Sequence, residues 1–99
     1  MKVAVRIHQG VKHVWYACPG CKHLHNVPAE RWHWNGSEDS PILSPSVRHF
    51  TPAGEYGPEV THCHYFVRDG RIEFCGDCKH EFAGKTVELQ EPTNVPDNS

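Results

Sequence analysis

Two short cysteine motifs constrain the fold of this chain more than any other feature. Each is Cys-x-x-Cys followed by Lys-His, and together they comprise residues 18–23 and residues 75–80. A tight turn between two cysteines lets both thiolates converge on one tetrahedral ion, and two such turns are typical of a structural zinc site. Soft thiolate ligands favour zinc among the common metals. We therefore expect Zn²⁺ to be the cofactor of this chain.

A fifth cysteine, Cys63, leaves two ligand sets open. Asp69-Gly70 is the residue pair that a two-residue β-hairpin turn requires, and it predicts a hairpin over residues 62–74. In that register Cys63 lies on the apolar face of the hairpin, whereas Cys75 points to the polar face. The register favours a metal site formed by Cys18, Cys21, Cys63 and Cys78.

The alternative ligand set keeps both cysteine pairs and omits Cys63. It requires the chain to bend at Cys75 into a second knuckle, because a tight turn cancels the alternation of a strand. One exchange also stays open, in which His64 or His80 replaces one of the four sulfur ligands.

Apolar residues alternate in several short segments, which predicts a mainly β fold. The segments 3–7 and 13–17 flank a Gln-Gly turn, and residues 40–48 form an extended segment whose two prolines suit a sheet edge or an irregular strand. A chain of 99 residues has room for one small core. We expect a single small antiparallel β domain over residues 1–90, with a zinc-ribbon-like knuckle and a polar tail over residues 91–99.

Charge and hydropathy argue against two classes of partner. Ten Lys and Arg against twelve Asp and Glu give a net charge of −2, which does not suit a protein held to nucleic acid by phosphate contacts. No apolar run approaches the roughly 20 residues of a membrane span. Trp32 and Trp34 could stack on bases, but two Trp in a small domain are better explained by its core. The expected partner is another protein.

The sequence gives little support to an enzyme. Four cysteine ligands leave no open position on zinc, which is typical of a structural site rather than a catalytic one. Ser37, Ser44 and Ser46 lack the Gly-x-Ser-x-Gly setting and an evident base, so a serine hydrolase is not indicated. A zinc-dependent hydrolase that uses His64 and His80 around an open metal position is the main alternative.

Five segments, taken in order over about residues 15–90, resemble a known family. They begin at Cys18-Pro19-Gly20-Cys21, Trp32, Pro41, Cys63-His64 and Asp77-Cys78. Together they are similar to a family of small phage and prophage proteins that often carry the label ammonia monooxygenase. The resemblance implies a viral gene product made in the cytoplasm of a bacterial host. It supplies no function of its own. The virion is an alternative location that does not rest on the resemblance.

These observations predict a non-enzymatic phage accessory or interaction protein that one structural zinc stabilises, with virion assembly as a variant of that role. The zinc-dependent hydrolase is the first alternative. A nucleic-acid-binding zinc ribbon is the second, and the net charge disfavours it.

Overall fold

The computed structural model describes residues 1–98, which form two antiparallel sheets. The first sheet has the strand order β1-β2-β3 and the second β4-β5-β6-β7-β8. The strands are β1 (Ala4–His8), β2 (Val11–Cys18), β3 (His23–Pro28), β4 (His33–Trp34), β5 (Leu43–Thr51), β6 (Val60–Arg68), β7 (Arg71–Phe74) and β8 (Thr86–Glu88). The prediction of a mainly β, antiparallel domain is confirmed.

In the first sheet, β1 and β2 form a hairpin across Gln9 and Gly10. Both turn residues have positive φ values, 50° and 79°, as a type I′ turn requires. The third strand, β3, was not predicted. Its buried residues are His25 and Val27, and a histidine on the inward face hides the apolar alternation that identifies a strand.

The β6–β7 hairpin has the register that the sequence predicts. Tyr65 pairs with Phe74 and Val67 pairs with Ile72, and the turn residue Asp69 has a φ of 49°. This register makes Cys63 fully buried. The Cys75 N–H donates to the His64 carbonyl at 2.9 Å, which extends the same pairing by one step.

The proline-containing strand β5 is irregular, as predicted. Its pairing with β6 shifts between Leu43 and Val47, and Pro45 lies inside this bulge. A bulge adds an unpaired residue to one strand and turns nearby side chains to new directions. Ser46 lies within the same bulge and is half-buried.

The core is formed by apolar side chains from both sheets, with three of the cysteines among them. Its largest fully buried members are Tyr16, Tyr65, Ile72 and Leu89. The two tyrosine hydroxyls bond to each other at 2.7 Å across the core, which satisfies both polar ends. Because Cys18, Cys63 and Cys78 are buried among these side chains, these cysteines are part of the core.

The chain after β8 lies against β1 within the described residues. The Arg6 guanidinium donates from Nε to the Pro96 carbonyl at 2.9 Å, and the Ile7 N–H donates to Asn98 Oδ1 at 2.7 Å. Residues 81–84 form a non-helical turn that ends at Gly84, whose φ is 77°. Across residues 1–98, no helix is long and apolar enough to cross a membrane.

Candidate functional site

Two clusters of side chains with metal-binding or catalytic chemistry lie on opposite faces of the second sheet. Successive residues of a strand point to opposite faces, so Cys63 faces the core while its neighbour His64 faces outward. The loop after β7 repeats this arrangement, with Cys78 buried and its neighbour Asp77 exposed. Each dipeptide therefore gives one residue to an inner cluster and one to an outer cluster.

The inner cluster joins the first cysteine pair to Cys63. The ligand atoms of Cys18, Cys21, His25 and Cys63 all lie within 4.8 Å of one another. The turn between the first two cysteines is a knuckle in which the Cys21 N–H donates to Cys18 Sγ at 3.3 Å. These four residues could hold a metal ion, and three of them belong to the predicted ligand set.

Of the three thiols in this cluster, only that of Cys18 favours the thiolate form. A hydrogen bond from the Cys63 thiol lowers the pKa of Cys18 to about 3, and the His25 ring adds to this effect. Burial, together with the Cys18 thiolate, raises the pKa of Cys21 to about 11. The hydrogen bond to Cys18 and burial raise the pKa of Cys63 far above its usual range. A bound cation would compensate the additional thiolate charges.

His25 gives an independent test of whether this cluster suits a metal. Its side chain is only 6% exposed, and its Nε2 atom is buried with no hydrogen-bond partner among the described residues. The ring stacks on His49 with the centroids 3.9 Å apart. A buried imidazole nitrogen without a partner is costly, and coordination to a metal would satisfy it. The donor set therefore fits a metal ion.

Cys78 and His80 lie next to this cluster and share Cys63 with it. The ligand atoms of Cys63, Cys78 and His80 form a second group within 4.8 Å, and His80 Nε2 lies 3.3 Å from Cys63 Sγ. The His80 ring also lies directly on Gly20, where a Cβ atom would come within 2.3 Å of the ring. Gly20 therefore makes room for His80 as well as shaping the knuckle.

The outer cluster contains a serine, a histidine and an aspartate in a hydrogen-bonded relay. His64 Nε2 lies 3.4 Å from Ser46 Oγ. On the other side of the ring, His64 Nδ1 lies 3.3 Å from each carboxylate oxygen of Asp77. An Nδ1–H that donates to Asp77 leaves Nε2 free to accept the proton of the Ser46 hydroxyl, which is the arrangement of a nucleophile, a base and an orienting acid.

The relay is open to solvent on one side. The side chain of His64 is 27% exposed and that of Asp77 is 49% exposed. Trp32 packs beside the serine, because its Nε1–H donates to the Ser46 carbonyl at 3.4 Å. A substrate could therefore reach the serine from the outer face, while the backbone of the serine is tied to a partly buried side chain.

Cys75 lies beside this relay but is a poor candidate for its nucleophile. Burial and the neighbouring Asp77 carboxylate raise the pKa of the Cys75 thiol. The reactive form of cysteine is the thiolate, so a raised pKa lowers its reactivity. Of the two side chains next to His64, the serine hydroxyl is the one that the ring nitrogen Nε2 faces.

Cys78 connects the two faces. The His64 N–H donates to Cys78 Sγ at 3.2 Å, and the Cys78 thiol donates to the His64 carbonyl at 3.1 Å. These contacts tie the loop that carries Asp77 to the strand that carries His64. The spacing between the base and its orienting acid thus depends on a buried cysteine.

One known protein family matches most of this chain. The profile of a family described as bacterial ubiquitination-like system serine protease (BubE) matches residues 1–75. The chain belongs to the BubE family. The match includes Ser46 and His64 and ends two residues before Asp77. No curated protein matches the chain, and no solved structure does.

Membership of the BubE family corrects the predicted function. A non-enzymatic phage accessory protein is wrong, because the family is described as a serine protease of a bacterial system. The same family description also contradicts the two alternatives, a zinc-dependent hydrolase and a nucleic-acid-binding ribbon. The structure also separates the histidines of the first alternative, with His64 beside Ser46 and His80 beside Cys63. The resemblance to phage and prophage proteins is not tested by this match and stays a prediction.

Ser46 could not be recognised as a nucleophile from the sequence, because the fold supplies its base. Ser46 and His64 are distant in the chain, and it is the pairing of β5 with β6 that brings them together. One signal was available in the sequence, because Cys63-His64 and Asp77-Cys78 each combine a cysteine with a polar residue that points to the opposite face. It placed His64 on the face opposite the metal ligands, together with the polar residues of the hairpin.

Proposed function

We propose that this chain is a serine protease in which Ser46 is the nucleophile, His64 the general base and Asp77 the residue that orients His64. The observation that carries the proposal is the hydrogen-bonded relay Ser46–His64–Asp77. The description of the BubE family supports the same class of enzyme. Relays of this kind are identified by geometry and roles, since unrelated proteases carry them in different chain orders.

The reaction follows from the two hydrogen bonds of His64. As Ser46 Oγ attacks a substrate carbonyl, His64 Nε2 takes the hydroxyl proton and then gives it to the leaving amine, which breaks the C–N bond. Water then attacks the acyl-enzyme ester by the same route and restores the Ser46 hydroxyl. Asp77 accepts the Nδ1–H bond throughout and stabilises the imidazolium that forms. Distances of 3.3–3.4 Å are slightly long for these bonds, as is common in free enzymes.

The inner cluster is assigned to one zinc ion with a structural role. Cys18, Cys21 and Cys63 supply thiolates, and zinc is the metal that this soft donor set favours. The mutual distances favour His25 as the fourth ligand, whereas Cys78, the fourth ligand of the sequence prediction, stays a prediction. Four protein ligands leave no open position, so the ion holds the fold and the chemistry belongs to the outer face.

Zinc and the relay depend on the same short segment of strand. Cys63 binds the ion and His64, the next residue, acts as the base. Coordination of Cys63 therefore fixes the position and direction of the His64 side chain, because a catalytic group is positioned by the residues that support it. The Cys78 bonds to the His64 backbone place Asp77 in the same way.

The substrates we propose are protein chains that belong to a bacterial ubiquitination-like system. The support is the description of the family, together with a relay that is partly exposed on an open sheet face. An open face can accept an extended segment of another protein. The predicted protein partner would then be the substrate.

Mass spectrometry of intact proteins tests this proposal. The zinc-loaded protein is incubated with the ubiquitin-like protein of a bacterial ubiquitination-like system. We expect two product masses that add up to the substrate plus one water, because hydrolysis consumes one water per peptide bond. The substrate incubated alone is the control. An uncleaved substrate in the presence of the folded, zinc-loaded protein would contradict the proposal.

A further inference from the structure

The outer face carries a third group of metal-binding side chains, and it overlaps the relay. The ligand atoms of His64, Cys75 and Asp77 all lie within 4.8 Å of one another. This group is separate from the inner cluster, with which it has no residue in common. Imidazole, thiolate and carboxylate are the three ligand types that zinc uses in proteins.

The geometry points to a second, exchangeable zinc site formed by His64, Cys75 and Asp77, whose occupation switches off the proposed protease. The consequence for activity rests on the proposed function, whereas the site itself does not. Metal–ligand bonds of 2.0–2.3 Å place tetrahedral ligands about 3.3–3.8 Å apart. Small side-chain rotations would therefore close the group around an ion, with water as the fourth ligand.

Access and ligand number make this site weaker than the inner one. Asp77 is about half exposed, so an ion can enter and leave from solvent. The inner cluster is buried, with Cys18 and Cys63 almost without exposure. Three protein ligands at the surface hold zinc less firmly than four in the core, so the second ion would exchange while the first stays.

Binding of this ion is incompatible with the role of His64 as a base. In the proposed relay, Nδ1 faces Asp77 and carries the proton that it donates, and Nε2, which faces Ser46, accepts the hydroxyl proton. Zinc on Nδ1 requires that nitrogen to be without a proton, so the neutral ring carries its proton on Nε2 instead. Nε2 then has no lone pair for the serine proton. The Cys75 thiol loses its proton to solvent when it binds as a thiolate.

Cys75 is the residue that separates this site from the catalytic one. It has no part in the relay, and its replacement by serine keeps a side chain of similar size. We expect Cys75→Ser to retain basal activity and to lose the second site. Mutation of a residue that only supports a metal ligand lowers metal affinity by about 10–100-fold, and removal of a ligand itself should lower the affinity at least as much.

The test measures metal binding and activity separately. Protein whose inner site is loaded with zinc is dialysed against Co²⁺, and the thiolate-to-cobalt absorption and the metal content per chain are recorded. We expect one additional ion in the wild type and in Ser46→Ala, because metal binding does not depend on catalytic activity. We expect none in Cys75→Ser at the same Co²⁺ concentration. Circular dichroism of each variant checks its fold.

The activity measurement uses buffered Zn²⁺ and the cleavage assay. We expect Zn²⁺ to inhibit the wild type, with at least a tenfold higher concentration needed for Cys75→Ser. A second ion that binds equally well to both would overturn the site, as would a wild type that binds one ion only. If the wild type cleaves nothing, the proposed function fails and the cobalt result still decides the site.

A second measurement keeps the site testable if Cys75→Ser does not fold. Alkylation of the wild-type protein by iodoacetamide, mapped by mass spectrometry, reports the reactivity of each cysteine. Excess Zn²⁺ should slow the alkylation of Cys75, because a coordinated thiolate is shielded. Unchanged alkylation of Cys75 over the same Zn²⁺ range would contradict a site at this residue.

Discussion

Replacing Ser46 by alanine is expected to lower the rate of substrate cleavage by roughly 10⁴-fold or more. The reason is that the hydroxyl is the nucleophile, and a base without a nucleophile leaves only the binding contribution to catalysis; losses of this size are seen when a relay serine is removed. Ser46 Oγ makes its relay contact on the outer face, so the fold and the inner metal should be unaffected. The measurement is the cleavage rate at saturating substrate.

Ser44→Ala is the matched control for this prediction. Ser44 lies on the same strand two residues away and is exposed, so it tests the same chemical change outside the relay. We expect Ser44→Ala to cleave at a rate within a few-fold of the wild type. Equal rates for Ser46→Ala and the wild type would mean that the serine is not the nucleophile.

Cys63→Ser is expected to remove the metal and unfold the domain. Cys63 is fully buried and belongs to both inner donor groups, so its loss affects every ligand arrangement that the cluster allows. Structural zinc contributes about 10–16 kcal/mol in small metal-dependent domains, and the stability of a whole domain is about 5–15 kcal/mol. A loss of this size is comparable with the whole stability of a domain, so the remaining core is not expected to hold the fold. Metal content and the circular dichroism spectrum measure both effects.

Cys75→Ser controls for the loss of a thiol. Cys75 is half-buried and lies among the outer residues, so this variant should keep its tightly bound zinc and its fold. Zinc-edge X-ray absorption of the wild type adds the number of sulfur ligands, which is three if His25 completes the site and four if Cys78 does. A Cys63→Ser protein that retains zinc, beside a Cys75→Ser protein that loses it, would show that the ligand set is wrong.

The inner face could be predicted from local patterns because each of its elements is specified locally. Asp69-Gly70 fixes the hairpin turn, the turn fixes the register, and the register places Cys63 in the core. The first cysteine pair forms its knuckle within four residues. His25 was not part of the predicted ligand set, because it comes from a strand whose inward histidine disguises its alternation.

The outer face could not be predicted in the same way. Ser46 becomes a neighbour of His64 only because β5 pairs with β6. The register between two strands that are distant in the chain depends on how they pack rather than on either strand alone. Asp77 reaches His64 because its loop is tied to β6 by Cys78 and by the Lys79 N–H, which donates to the His62 carbonyl. A cysteine motif that was interpreted only as a metal site thus also carries the acid of the relay.

Covalent labelling by a fluorophosphonate probe tests whether Ser46 is an activated nucleophile, because the probe reacts with serine only when a neighbouring base activates the hydroxyl. The zinc-loaded protein is treated with the probe, digested and mapped by tandem mass spectrometry, with His64→Gln as the comparison. We expect one phosphonate per chain, carried by Ser46, and no labelling of the His64→Gln protein. An unlabelled wild type, or labelling of Ser46 that persists without His64, would contradict it.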